Sequence, residues 1–139
     1  MAGETDLQKI LQNLSPTIRP ESYVFCTEKE AKYGDLAHSN PIACCIEEEG
    51  LTLILSQQNA DKAGLFYETV FRCICLNIHS SLEAVGLTAV VSTALAKQGI
   101  SANMMAGYFH DYIFVPADQI HTAHRTIINI ASQSSQKDR

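Results

Sequence analysis

Apolar residues recur on a helical period as soon as the chain opens. Leu7, Ile10, Leu11 and Leu14 fall at i, i+3, i+4 and i+7, so residues 6–14 should form a short helix. Thr5 or Asp6 can cap its start, and Ser15-Pro16 ends it. Residues 20–22 read as a turn. The β-rich run Tyr23-Val24-Phe25-Cys26-Thr27 reads as a strand. Residues 28–41 are polar and irregular, which predicts a surface loop. Residues 43–48 and 51–55 flank Glu49-Gly50, the pattern of two strands joined by a tight hairpin turn. Residues 59–64 allow a short helix capped by Asn59 and closed by Gly64. In the second half, residues 71–78 alternate between two apolar faces, Ile74, Leu76 and Ile78 against Phe71, Cys73 and Cys75. Such a strand is buried on both sides. Leu87, Val90, Val91, Ala94 and Leu95 mark an amphipathic helix over 86–98, stopped by Gly99. Residues 101–108 and 112–115 are strands joined by a tight turn at 109–111. A last helix opens at Pro116 and Asp118, with Ile120, Ala123, His124, Ile127, Ile128 and Ala131 on one side. The polar tail 132–139 is expected to fray.

The second half thus reads β-α-β-β-α, a ferredoxin-like unit without its final strand. That leaves the edge of the 71–78 strand open, and an open apolar edge invites aggregation. The expected organisation is therefore two subdomains, 1–69 and 70–139, with the second completed by a strand from the first.

Length and composition narrow the function classes. At 139 residues the chain can bury a real core, and 46% hydrophobic against 18% charged residues excludes a disordered chain. No apolar run reaches the ~18 residues of a membrane span. The net charge of −5, without a basic run, argues against a nucleic-acid partner. The charge is uneven: residues 1–69 carry eleven acidic and five basic side chains, a net of −6. Residues 70–139 carry four and five, a net of +1; this reads as a solvated acidic surface on the first half or, alternatively, as a second half that can host an anionic group or pair with an acidic neighbour. The first residues show no signal peptide, and Cys26, Cys44, Cys45, Cys73 and Cys75 are odd in number. Both features point to a cytoplasmic protein whose cysteines serve as small buried hydrophobes rather than disulfides or metal ligands.

Chemistry concentrates around residues 79–88. If the second long helix starts at Gly86, the free amides of Gly86, Leu87 and Thr88 carry partial positive charge and suit a carboxylate. Ser80 and Glu83 have capping-box spacing, which leaves open an alternative start at Ser81 with Gly86 inside the helix. Asn103, Met105 and Gly107 alternate on one strand face and could floor a small pocket, with Gly107 making room. His79, His110 and Asp111 sit at neighbouring strand ends and could form an acid–base or metal set. No nucleophile elbow or phosphate loop is present, so no cofactor is expected.

Several strings carry a resemblance. Gly86-Leu87 opens an apolar helix, and Gly99-Ile100 leads from it into a strand, a segment that resembles ACT domains. These are small regulatory modules that bind amino acids. Asp111-Tyr112-Ile113-Phe114-Val115 is similar to the third strand of ACT-like proteins with two fused subdomains. Tyr23-Val24-Phe25-Cys26, Glu49-Gly50-Leu51-Thr52-Leu53 and the specific string His79-Ser80-Ser81-Leu82-Glu83-Ala84-Val85-Gly86-Leu87-Thr88 resemble a small, poorly characterised bacterial group of such tandem proteins. The likeness spans roughly residues 7–130. Many ACT domains carry Asp/Asn-x-Pro-Gly before the first helix; here the stretch is Glu83-Ala84-Val85-Gly86. The resemblance implies an α+β fold of two interlocked ferredoxin-like subdomains with antiparallel sheets, a homodimer and no enzymatic activity. It implies binding of an amino acid or related carboxylate at Ser80, Ser81, Val85, Gly86, Leu87, Thr88, Asn103 and Asp111, the last near the ligand's positive group. Two other readings remain: a ligand-free structural or adaptor dimer, and an enzyme using His79, His110 and Asp111.

Overall fold

The computed structural model describes residues 3–137. The chain divides into two compact units, one of Met1–Arg19 with Cys73–Arg139, the other of Pro20–Arg72. Both boundaries fall inside strands, so each unit holds a portion of β1 (Pro16–Glu28) and of β4 (Phe71–Leu76).

The Pro20–Arg72 unit pairs its strands in the order β2-β3-β1, where β2 is Ala43–Glu47 and β3 is Gly50–Ser56. Both pairings are antiparallel, with Val24 opposite Leu55 and Cys44 opposite Leu53. Glu47 pairs with Gly50, so the hairpin turn is Glu48-Glu49, one residue earlier than the Glu49-Gly50 expected from sequence. The helix α2 (Gln57–Ala63) starts earlier than expected. Ser56, not Asn59, is its cap, its hydroxyl accepting the Asn59 amide at 3.1 Å. The core comprises Val24, Cys26, Leu51, Leu53, Leu55 and Ala60. β2 is an edge strand, which exposes Cys44 and Cys45 and corrects the expectation that all five cysteines are buried. Burial pushes the thiols of Cys26 and Cys75 above their ordinary value, so neither is poised as a nucleophile.

The other unit orders its strands β1-β4-β6-β5, with β5 at Asn103–Ala106 and β6 at Asp111–Pro116. Three helices belong to this unit: α1 (Leu7–Gln12), α3 (Leu87–Lys97) and α4 (Ile120–Lys137). Ile10, Ile74, Leu76, Val91, Leu95, Ile113 and Ile127 are fully buried in its core. β4 is buried on both faces, as its double apolar alternation predicts. Burying a Leu or Ile stabilises by ~1.5–3 kcal/mol, which makes these positions the anchors of the unit.

Three further expectations are corrected here. β1 runs straight through Pro20, where a turn was expected. A proline biases the residue before it toward extended backbone, so Ser15 and Arg19 favour the strand conformation that tertiary pairing completes. The 132–139 tail does not fray at Ser132, because α4 continues to Lys137 with Ser134 buried. Residues 138–139 lie outside the described residues. Ile128, placed on the apolar face of α4 by its spacing, is 41% exposed. His124 on that helix bonds through Nε2 to the Pro16 carbonyl at 3.0 Å, so its inward position is structural.

Candidate functional site

α3 begins at Leu87, with Gly86 as its N-cap at φ +108°. That settles the choice of helix start: the capping-box alternative at Ser81 does not form. Ser81 instead accepts the Glu83 amide at 3.1 Å. The first intrahelical bond runs from the Val90 amide to the Gly86 carbonyl, 2.9 Å, so the amides of Leu87, Thr88 and Ala89 precede the helical ladder. The glycine has two causes, its left-handed backbone and its neighbour. A Cβ on Gly86 would come 2.8 Å from Leu7 Cδ2.

A cavity of about 470 Å³ lies at this helix start. Ser80, Ser81, Gly86, Leu87, Thr88 and Asp111 line it, with Gly107 and His110. Two of the expected residues stand apart from it. Val85 is 83% exposed, and Asn103 is an exposed β5 residue opposite Phe114. Met105 is likewise not in the lining, whereas Gly107 is. Sequence reasoning missed Leu82, Ala84, Ala89 and Ala106 as lining residues. Ala89 was findable as the third residue of the helix; Ala106 depended on where β5 ends.

Asp111 is half-buried in this cavity, and the Ser80 hydroxyl donates to its Oδ2 at 3.3 Å. Burial raises its carboxyl above the ordinary aspartate value, while the Ser80 bond and the nearby His110 pull it back. Nδ1 of His110 is buried without a hydrogen-bond partner among the described residues. His79 does not join Asp111. Its ring lies 5.0 Å from Phe109 and 6.0 Å from Tyr108, in an aromatic cluster. No hydrogen bond links His79, His110 and Asp111, and no metal-holding group of His, Cys, Asp or Glu exists among the described residues.

The loop before α3 is fastened from the N-terminal side. The Glu4 amide donates to the His79 carbonyl at 2.9 Å, and the Ser81 amide donates to the Glu4 carbonyl at 2.8 Å. Gly3 lies so close that a Cβ there would stand 2.6 Å from the Ser80 carbonyl carbon and 2.7 Å from the Ser81 nitrogen. Glu4 holds one end of the loop and Leu7, against Gly86, the other.

The β4-α3-β5-β6-α4 order with a hollow at the start of α3 puts this part of the chain in the class of ferredoxin-like folds. The particular family is explicit in the chain. ACT domain models match residues 2–72 and residues 68–129, and the chain belongs to the ACT domain family as a tandem pair. ACT domains are non-catalytic modules that generally bind amino acids or other small molecules. A Vibrio cholerae protein of unknown function, described as a possible transport protein, is 44% identical, with a TM-score of 0.81 over 90% of this chain and 95% of that one. An Agrobacterium tumefaciens protein shares the fold at 12% identity and a TM-score of 0.71, covering 86% and 90%. The regulatory subunit of aspartate kinase from Thermus thermophilus, in its ligand-free form, does so at 9% and 0.58, covering 85% and 98%. No curated protein matches the chain. No helix among the described residues is long and apolar enough to cross a membrane.

Proposed function

We propose that this chain is a cytoplasmic, homodimeric sensor that binds an amino acid or related small carboxylate at the start of α3. The observation that carries the reading is the shared hollow: a helix N-terminus and a half-buried carboxylate, Asp111, line one cavity. The amides of Leu87, Thr88 and Ala89 favour a carboxylate, and Asp111 favours an ammonium group. An α-amino acid carries both on one carbon. Binding at a dimer interface shifts the association equilibrium by its differential affinity, which is how a module without catalysis regulates.

The competing reading is a ligand-free structural dimer, favoured by Leu7 packing where a side chain at Gly86 would stand. A thermal-shift panel of the common amino acids separates the two. A ligand at one hundred times its Kd stabilises by ~2.7 kcal/mol, so one amino acid should raise Tm by several degrees. A flat response at millimolar concentrations across the panel selects the structural reading.

A further inference from the structure

A second, smaller cavity of about 280 Å³ shares Ser80, Ser81 and Leu82 with the first. Its remaining walls are Gly3, His79, Glu83 and Tyr108. The two linings together contain two carboxylates, Asp111 in the first and Glu83 in the second, and one histidine each, His110 and His79; neither contains a lysine or arginine. Tyr108 and His79 add ring faces to the second cavity, and their centroids lie 6.0 Å apart. Aromatic faces attract cations within ~6 Å of a ring centroid, and a carboxylate beside them adds to that attraction. An anionic group entering the same space would face Glu83 with no lysine or arginine in the lining to offset it.

Resting on the reading of the first cavity as the amino-acid head-group site, we propose that the second cavity takes the ligand's side chain and selects a cationic one. The ligand class is then a basic amino acid, bearing an ammonium or guanidinium group. Its carboxylate meets the start of α3, its α-ammonium meets Asp111, and its distal cation lies between Glu83 and the Tyr108 ring. Ser80 and Ser81, common to both cavities, line the passage between head group and side chain. Acidic amino acids are disfavoured because the second cavity sets the Glu83 carboxylate against them and holds no lysine or arginine.

Calorimetric titration of the full-length protein tests this with lysine, arginine, norleucine, citrulline, glutamate and cadaverine. Lysine and arginine should bind at least about tenfold more tightly than norleucine and citrulline, a difference of ~1.4 kcal/mol. Glutamate should give no heat of binding. Glu83→Gln should weaken lysine roughly threefold, as expected for a partly exposed ion pair, and leave norleucine unchanged. Equal or tighter binding of norleucine or glutamate overturns the cationic selection while leaving the head-group reading standing. Cadaverine binding as tightly as lysine overturns the head-group reading, since the diamine has no carboxylate, and leaves the cation site in place. No binding by any of the six overturns both.

Discussion

Asp111 is the residue on which most of the site's chemistry turns, and its environment makes the consequence of pH explicit. Its folded-state carboxyl sits above the ordinary aspartate value because burial disfavours the charge. Only in the pH window between the unfolded and the raised folded value does the folded protein hold a proton that the unfolded chain has released. Its contribution to stability is full below the ordinary aspartate value and is lost as pH rises through the raised folded value. Asp111→Asn keeps an acceptor for the Ser80 hydroxyl and removes the buried charge. The unliganded variant should melt slightly higher than the parent at neutral pH, and the gain should vanish at acidic pH. Differential scanning calorimetry at both pH values reads this directly. Amino-acid binding by the same variant should fall, since the ammonium loses its counter-charge; an unchanged affinity would remove Asp111 from the site. Serine, aspartate and glycine at 80, 111 and 86 were all legible as candidates in the sequence. That Ser80 bonds Asp111 was not, because thirty-one residues separate them and only the placement of β6 beside the loop brings them together.

At the scale of elements, the loop between β4 and α3 shows what local pattern can and cannot decide. The helix period of Leu87, Val91 and Leu95 fixed the buried face of α3, and all three are buried. Its starting residue stayed ambiguous, because Ser80-x-x-Glu83 and Gly86 are both acceptable starts when read alone. Contacts from the distant N-terminal segment resolve the ambiguity: Glu4 bridges to Ser80, and Leu7 packs on Gly86. Gly3→Val should break this fastening, since the added side chain meets backbone at 2.6–2.7 Å and nothing there is free to swing aside. The expected result is faster hydrogen exchange at the Glu4 and Ser81 amides, with the amides of β4 still protected. A weaker amino-acid affinity should accompany it. If the Ser81 amide exchanges no faster in the variant, the N-terminal segment does not hold the loop. The hairpin of β2 and β3 was equally visible as a hairpin, but its turn lay one residue earlier. Register is set by which side chains reach the core, here Leu51, Leu53 and Leu55, rather than by the position of the glycine.

For the whole molecule, the decisive feature is that the boundary between the compact units cuts through β1 and β4. Each unit therefore needs the extended backbone of the same two strands, which favours their forming together. The core of the Pro20–Arg72 unit rests on six buried residues, and a unit of that size is marginal by itself. We expect the full chain to unfold in one transition. Leu53→Ala in one core and Leu95→Ala in the other should each lower that same transition, by ~2–5 kcal/mol. Two resolved calorimetric transitions, with each substitution moving only one, would show that the units fold independently.

Taken alone, the amino-acid sequence determined the elements with a strong period and the family they belong to. Apolar spacing is a local property, and burial of one face is enough to produce it. It therefore also disclosed the α+β class and the β-α-β-β-α order. What only the tertiary structure decided was everything that depends on partners distant in the chain: the extension of β1 through Pro20, the start of α3 at Leu87, the exposure of Cys44 and Cys45 on an edge strand, and the meeting of Ser80, Asp111 and the α3 amides around one cavity. Each of these is settled by the free energy of long-range pairing and burial, to which no window of neighbouring residues has access.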